Sequence, residues 1–132
     1  MRNSISGTVP LLALVASLAA AGTTRAADGN VEDGADVFKK CRACHKVGAD
    51  AGNLVGPHLN GIVGRKASSV EGFKYSPASH AASEKGLVWT EEALMKYLEN
   101  PSAFMPGTAM AFAGLKDEQD RRDVIAYLKT FK

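Results

Sequence analysis

Two cysteines three residues apart, with a histidine directly after the second one, constrain this chain more than any other feature. They are Cys41, Cys44 and His45, and no further cysteine occurs in the 132 residues. At this spacing both thiols can add to the two vinyl groups of a haem, and the adjacent imidazole then lies under the iron. The motif therefore predicts a covalently attached haem, with His45 as its proximal axial ligand.

Three other interpretations of the two cysteines fit the rest of the sequence less well. A thioredoxin-like redox pair occurs in a βαβ context, which the flanking residues do not indicate. A zinc site needs a second pair of ligands at similar spacing, and His58 and His80 do not provide one. A disulfide between Cys41 and Cys44 would close a loop too short to stabilise much of a fold.

The first 26 residues have the pattern of a secretory signal peptide. Arg2 supplies a positive charge, residues 9–21 form an apolar run, and Thr24-Arg25-Ala26 is a small-x-small cleavage site. The run is 13 residues long, shorter than the ~20 that a membrane-spanning helix needs, which disfavours an uncleaved anchor. We therefore expect residues 1–26 to be removed, residues 27–132 to form one domain, and the protein to be exported to a bacterial periplasm.

The charge of the chain gives no indication of a nucleic-acid partner. The sequence contains 16 basic and 14 acidic residues. Arg2 and Arg25 lie in the expected signal segment, so the remaining domain carries 14 of each sign. With no basic stripe and no alternation of basic and aromatic residues, the sequence does not indicate nucleic-acid binding.

Helical periodicity and capping residues predict an all-α chain with three main helices and long loops. The first helix spans residues 31–43 with Asn30 as N-cap, the second begins after Thr90 and stops at Asn100-Pro101, and the third begins near Asp117. Between the first two helices Gly, Pro and Ser are frequent and strand patterning is absent. Because long loops are uncommon inside a compact domain, we expect these to pack on the haem.

A six-coordinate haem needs a second axial ligand, for which the chain offers Met95, Met105, Met110, His58 and His80. Met95 lies on the apolar face of the second helix, which favours a place in the core. Met105 and Met110 share a segment that contains Pro and Gly, and its looped backbone can bring a thioether to the iron. The pattern alone leaves both methionines open.

A series of short motifs follows the cysteine pair and extends through the rest of the chain. In order they are Gly56-Pro57, Gly64-Arg65-Lys66, Gly72-Phe73-x-Tyr75, Trp89, Tyr97-Leu98-Glu99-Asn100-Pro101, Pro106-Gly107-Thr108-Ala109-Met110-Ala111-Phe112-Ala113-Gly114 and Ile125-Ala126-Tyr127-Leu128. With this series the chain resembles the class I c-type cytochromes, most closely mitochondrial cytochrome c and the bacterial cytochromes c2. The resemblance implies the class I cytochrome c fold, wrapped around one covalent haem c.

The resemblance also implies which residues hold the iron. Met110 ends the Pro-Gly-Thr-x-Met motif and would be the distal ligand, whereas Met105 would be a packing residue. Pro57 would accept a hydrogen bond from Nδ1 of His45 and so leave Nε2 for the iron.

A second group of residues would surround the haem, according to the same resemblance. One set would bond or neutralise the haem propionates, which need such partners when buried. Another would surround the methionine sulfur and the inner propionate. The first set is Arg65, Tyr75 and Trp89, and the second is Tyr97 and Thr108.

The chain departs from the mitochondrial pattern in ways that affect its surface. Ser79 stands where that pattern commonly has Asn, in a network near Tyr97. Ser102, Ala103 and Ala109 stand where the docking face usually carries lysines. The basic side chains left to ring the haem edge are Lys40, Lys46, Lys66 and Lys116.

Two strong protein ligands leave the iron no open site, which indicates outer-sphere one-electron transfer rather than catalysis. The resemblance thus implies a soluble periplasmic electron carrier, monomeric and peripheral to the membrane. Its partners would be redox proteins: a membrane quinol–cytochrome c oxidoreductase, a terminal oxidase, a reductase or a photosynthetic reaction centre. Two alternatives are a haem peroxidase, with His80 as a loose candidate for the distal acid–base group, and a gas-binding sensor with five-coordinate iron.

Overall fold

The computed structural model describes residues 28–132, so the expected signal segment and its cleavage site lie outside the described residues. Within this range five helices are joined by long loops. They are α1 (Val31–Phe38), α2 (Pro77–Glu84), α3 (Glu91–Glu99), α4 (Pro101–Phe104) and α5 (Glu118–Leu128). The strand-like pairing in this range is one isolated antiparallel bridge, between Lys66 and Val88. The all-α prediction is confirmed, and none of these helices has the length and apolar composition to span a bilayer.

The three main helices begin at the capping residues that the sequence predicts. The side chain of Asn30 accepts two backbone N–H groups of α1, at 2.8 and 3.1 Å. Thr90 accepts one N–H group of α3 at 3.1 Å, and Asp117 accepts two of α5, at 2.7 and 3.4 Å. Each cap satisfies backbone donors that have no partner inside the helix, which is why these residue types mark helix starts so reliably.

The end of α1 differs from the prediction, because the helix stops at Phe38 rather than at residue 43. After it, Lys40 N–H donates to the Val37 carbonyl at 3.0 Å and Cys41 N–H donates to the Phe38 carbonyl at 2.8 Å. These bonds reach back three residues instead of four, which tightens the last turn and ends the α-helix. The cysteine motif therefore lies in turns that follow α1, not in the helix.

Two short helices were not predicted from the sequence. α2 has Ser76 as N-cap and Pro77 at its first position, and α4 repeats this arrangement with Asn100 and Pro101. Proline suits the first helical position because its missing N–H would have no partner there. Neither segment has apolar residues at helical spacing, and α2 buries none of its side chains, so periodicity does not reveal them.

The first and last helices cross in close contact and form the centre of the core. Gly34 allows the approach, since a Cβ at that position would overlap the carbonyl of Asp123 and the side chain of Tyr127. The rings of Phe38 and Tyr127 pack beside the crossing with their centroids 5.4 Å apart. The buried apolar cluster consists of Val37, Phe38, Ile62, Leu94, Leu115, Val124, Ile125 and Leu128.

A buried carboxylate joins the start of α1 to α5. Asp123 is only 5% exposed, and its Oδ1 accepts Asn30 N–H at 2.7 Å and Gln119 Nε2 at 2.8 Å. These bonds satisfy an oxygen that would be costly to bury alone. Because Asn30 is the N-cap of α1, the bond from its N–H orients the first helix directly against the last.

Gly34→Ala should lower the free energy of unfolding by about 1–3 kcal/mol, because the added methyl group must push α1 away from α5. Denaturant unfolding of the holoprotein, followed by circular dichroism, measures the change. Gly52→Ala is the matched control, since nothing lies within 4 Å of a Cβ at that position. Equal unfolding midpoints for the two variants would contradict the close crossing.

Candidate haem-binding site

The cysteine motif is held by short-range turns directly after α1. Cys44 N–H donates to the Cys41 carbonyl at 3.1 Å, and His45 N–H donates to the same carbonyl at 2.9 Å. Both thiols are free and half-buried. Because one carbonyl anchors both turns, the two sulfurs and the imidazole are presented from a single compact segment.

The His45 imidazole is fixed by the loop that follows the motif. Its Nδ1 lies 2.7 Å from the Pro57 carbonyl oxygen, and a carbonyl can only accept, so Nδ1 carries the proton and Nε2 is left with its lone pair. Gly56 N–H donates to the Cys44 carbonyl at 2.9 Å and brings the loop against the ring. A Cβ at Gly56 would overlap the imidazole, so this position needs glycine.

The electrostatic surroundings keep His45 neutral. Burial lowers the pKa of His45 below that of free imidazole, and the nearby Arg65 guanidinium acts in the same direction. The hydrogen bond to Pro57 raises the pKa and opposes both effects. A neutral imidazole is the form that coordinates a metal, so the net effect prepares this side chain for ligation.

The Cys41 thiol is poorly suited to thiolate chemistry. Burial raises the pKa of Cys41, a nearby lysine opposes the shift, and Cys44 adds to it. The thiolate is the form that binds zinc or acts as a redox nucleophile. Moreover, no three His, Cys, Asp or Glu side chains among residues 28–132 are grouped so that they could hold a metal ion. The donor set fits thioether attachment of a haem better than a zinc site.

Met110 lies in a segment that we call the Met110 loop (residues 100–115). The side chain of Tyr97 contacts the Met110 sulfur. The Tyr97 hydroxyl donates to Met110 Sδ at 3.7 Å and lies 3.3 Å from Thr108 Oγ1. Thr108 Oγ1 also accepts the Met110 backbone N–H at 3.3 Å. Met105, by contrast, is 6% exposed and belongs to the buried apolar residues. This arrangement favours Met110 over Met105 as the candidate ligand.

Tyr97 also belongs to an aromatic cluster behind the sulfur. Its ring centroid lies 4.7 Å from that of Trp89 and 5.7 Å from that of Phe104. Burial raises the pKa of Tyr97, and the bond to Thr108 only partly offsets this. The phenol therefore keeps its proton, which is what a donor to sulfur requires. Phe104 was not identified from the sequence, because it lies in α4, which has no periodic pattern.

Arg65 and Trp89 are joined through their backbones. Gly64 N–H donates to the Trp89 carbonyl at 2.7 Å, and Trp89 N–H donates to the Arg65 carbonyl at 2.8 Å. The Arg65 guanidinium donates to the carbonyls of Asn60 at 2.9 Å and His58 at 3.1 Å. Burial lowers the pKa of Arg65, and within residues 28–132 it has no carboxylate partner. A haem propionate would supply the missing negative charge.

The other expected second-group residues have local partners. The Tyr75 hydroxyl accepts Val70 N–H at 3.1 Å, which leaves its own proton for another acceptor. Ser79 Oγ lies 2.8 Å from Ser68 Oγ, so in this chain Ser79 bonds a serine rather than Tyr97. Asn60, which the sequence analysis missed, bonds both the backbone N–H and the carbonyl of Gly48, at 2.9 and 2.7 Å.

The histidines named as alternatives do not converge on the site. His80 is exposed on α2, with its ring 6.1 Å from that of Tyr75 in an edge-on arrangement. His58 is half-buried, and its carbonyl rather than its ring contacts Arg65. The structure thus places His45 with Pro57 in one cluster, and Met110 with Tyr97 and Thr108 in another.

Comparison with known proteins agrees with this architecture. Residues 31–132 match the family model described as Cytochrome c. Cytochrome c-550 of Ancylobacter novellus is 57% identical over 98 residues, which are 74% of this chain and 92% of that relative. Cytochrome c2 of Blastochloris viridis is 46% identical over 131 residues, or 99% of this chain and 94% of that relative. The solved cytochrome c2 of Rhodospirillum centenum has a TM-score of 0.76 at 47% identity, covering 79% of this chain and 99% of that one.

Tyr97→Phe should lower the reduction potential of the holoprotein by roughly 20–60 mV. A hydrogen bond to sulfur reduces electron donation to the ferric iron, and one neutral hydrogen bond is worth about 0.5–1.5 kcal/mol, against ~59 mV per tenfold change for one electron. Spectroelectrochemical titration measures the shift. Tyr127→Phe is the control, because Tyr127 packs between Phe38 and Phe131 in the core. Equal potentials for the two variants would show that Tyr97 acts by packing alone.

Proposed function

The chain belongs to the cytochrome c family, and from this membership and the geometry of the site we propose that it is a periplasmic one-electron carrier with His/Met-ligated haem. Members of the family bind covalently attached haem c and transfer electrons, so the protein is an electron-transfer protein and not an enzyme. Its membership and its class I cytochrome c fold confirm the resemblance drawn from the motifs.

Four side chains would hold the haem. Cys41 and Cys44 would form thioethers, and no other cysteine in the chain competes with them. His45 would coordinate through Nε2, the nitrogen that the bond from Nδ1 to Pro57 leaves free. Met110 would coordinate through Sδ. When bound, the haem iron supplies a one-electron ferric/ferrous couple.

The axial residues determine what the site can do. If His45 and Met110 both hold the iron, no coordination position would be left for a substrate, and the haem would supply one-electron transfer alone. The bond to Pro57 and the bond from Tyr97 hold the two ligands in fixed positions. Ligands held in this way would change position little between the ferric and ferrous states. This would lower the reorganisation energy of each electron transfer.

The residues around the site also influence the potential. A methionine thioether is a soft ligand, which favours the reduced iron and raises the potential. The aromatic cluster of Trp89, Tyr97 and Phe104 excludes water behind Met110 and disfavours the more highly charged oxidised state. Arg65 would neutralise one propionate, and Tyr75 and Trp89 would lie near the same groups.

The cellular setting extends the same proposal. The signal-like residues 1–26 and the bacterial cytochrome c2 relatives support export to the periplasm, with residues 27–132 as the mature domain. Redox proteins are its partners, and we expect them to include a membrane quinol–cytochrome c oxidoreductase and a terminal oxidase, reductase or photosynthetic reaction centre. In this setting the carrier is a monomer that visits the membrane surface.

The observation that carries the proposal is that both candidate ligands, His45 and Met110, are fixed by a hydrogen bond. Two ligands should give the ferric protein a far-red Met–iron absorption and should prevent the ferrous protein from binding carbon monoxide at neutral pH. Absorption spectra of both oxidation states, with and without carbon monoxide, test this. Ready carbon monoxide binding would favour a peroxidase or gas sensor and would overturn the assignment of Met110.

The lysines expected around the haem edge are less available for docking than their number suggests. Lys40 Nζ lies 3.4 Å from the carboxylate of Asp120, and the Lys116 ammonium donates to two backbone carbonyls. Lys46 and Lys66 are exposed and form no ion pair within residues 28–132. Long-range attraction to an acidic partner should therefore be weak.

Exposed apolar groups lie in loops on both sides of the site. On the distal side, Ala109 and Ala111 are exposed in the Met110 loop. On the proximal side, Leu54 and Val55 are 43% and 79% exposed, directly before the glycine that contacts the axial imidazole. Contacts of this kind gain affinity from apolar burial, which added salt does not screen.

The rate of electron transfer to the membrane oxidoreductase should fall less steeply with salt than for lysine-rich mitochondrial cytochrome c, since exposed charges are screened beyond ~8 Å at physiological salt. Lys46→Glu should slow the reaction by roughly two- to fivefold, and Ala111→Gln should slow it more. Stopped-flow rates across a salt series provide the measurement, with the exposed Ala81→Gln as control. A steep salt dependence that Ala111→Gln leaves unchanged would mean that the lysines still dominate docking.

A further inference from the structure

The Met110 loop begins and ends at the same place, the C-terminal end of α3. It leaves at Asn100, the residue directly after the helix, and returns where Leu115 N–H donates to the Leu98 carbonyl at 2.7 Å. At the returning end Gly114 has a φ of +104°, and a Cβ there would overlap the Glu99 carbonyl. The loop is therefore closed on itself by backbone contacts across the end of one helix.

The end of α3 needs donors from outside the helix. The last carbonyls of a helix have no partner in their own helix, and Asn100 turns away with φ −157° and ψ 89°. Leu115 satisfies one of these carbonyls through its backbone, and Lys116 satisfies the next through its side chain. Lys116 Nζ donates to the Glu99 carbonyl at 2.6 Å and to the Ala113 carbonyl at 3.1 Å.

The ammonium group of Lys116 lies where the helix dipole of α3 stabilises a positive charge. A helix C-terminus carries a partial negative charge, which stabilises an ammonium group placed beside it. One of the two carbonyls belongs to α3 and the other to the Met110 loop, so a single cation bridges the helix and the loop.

The backbone of Lys116 is fixed as well. Arg121, on α5, is 7% exposed, and its Nη1 donates to the Leu115 carbonyl at 2.6 Å and to the Lys116 carbonyl at 3.0 Å. The side chain of Lys116 therefore starts from a fixed point, and less conformational entropy is lost when its ammonium binds the two carbonyls.

We propose that Lys116 is a positioning residue for the distal ligand, closing the Met110 loop against α3 so that Met110 stays on the iron. The inference rests on the proposed Met110 ligation. For Met110 to leave the iron, the loop must open, and opening near its returning end breaks the bridge from Glu99 to Ala113. From the sequence, Lys116 was counted among the docking lysines, whereas its hydrogen bonds indicate a role in holding the Met110 loop.

Binding of imidazole to the ferric holoprotein tests the proposal, because a neutral external ligand can reach the iron only after Met110 has left. Lys116→Met removes both exposed hydrogen bonds of the ammonium, of which loop opening needs to break only one, so it should raise the rate of imidazole binding by about fivefold. It should also lower the temperature at which the far-red Met–iron absorption disappears. Lys116→Arg should restore most of both properties, since a guanidinium can still donate to carbonyls.

Lys85→Met is the matched control for charge, because Lys85 is exposed at the end of α2 and its side chain makes no hydrogen bond within residues 28–132. This variant should bind imidazole at the wild-type rate. Equal rates for Lys116→Met, Lys85→Met and the wild type would overturn the positioning role and leave the electron carrier intact. A wild-type protein without the far-red absorption would overturn both this role and the ligation of Met110.

Denaturant unfolding of the same variants separates local from global effects. We expect Lys116→Met to change the unfolding midpoint little, since the buried α1–α5 crossing lies elsewhere. Gly34→Ala shows how much a general loss of stability speeds imidazole binding. If Lys116→Met speeds binding no more than Gly34→Ala does for the same loss in the free energy of unfolding, a specific role in holding Met110 would be refuted.

Discussion

The hydrogen bond between His45 Nδ1 and the Pro57 carbonyl is the interaction on which the rest of the site depends. It fixes the tautomer, the ring orientation and the basicity of the proximal nitrogen together. It also anchors the loop after the cysteine motif, because the neighbouring Gly56 bonds the Cys44 carbonyl and leaves the space that the imidazole fills. One short contact thus links a loop of little regular structure to the helix that carries the attachment motif.

The Met110 loop is held differently, by side-chain contacts near the Met110 sulfur and by a closure at its returning end. Tyr97 and Thr108 determine where the Met110 sulfur lies. The end of α3, together with Lys116 and Arg121, determines where the loop closes. His45 therefore belongs to a turn and Met110 to a loop that is fastened at its returning end. If the two side chains hold the iron as proposed, we expect Met110 to be the ligand that leaves more easily.

The sequence predicted the parts of this molecule whose physical signal is local. Asn30, Thr90 and Asp117 satisfy helix N–H groups within three residues, so the starts of the main helices could be read directly. The family and its fold followed from motifs in order. The end of α1 at Phe38 was not predicted because Cys41 continues the helical apolar spacing beyond it. The helices α2 and α4 were not predicted because they lack apolar periodicity. The Ser79–Ser68 bond joins residues 11 positions apart, and the bond from Lys116 to the Glu99 carbonyl joins residues 17 positions apart. No local pattern records such pairings.

The crossing of α1 and α5 has a consequence for the order of events as the protein is made. Asn30 and Asp123 are 93 residues apart, so the centre of the core joins the two ends of the described chain and cannot form until almost the last residue is available. Closing a chain segment of this length costs conformational entropy, so contacts of such long range slow folding. The cysteine motif directly follows α1, and the part of the core that packs on α1 is missing until α5 is present. We expect the motif to remain accessible for haem addition over that time.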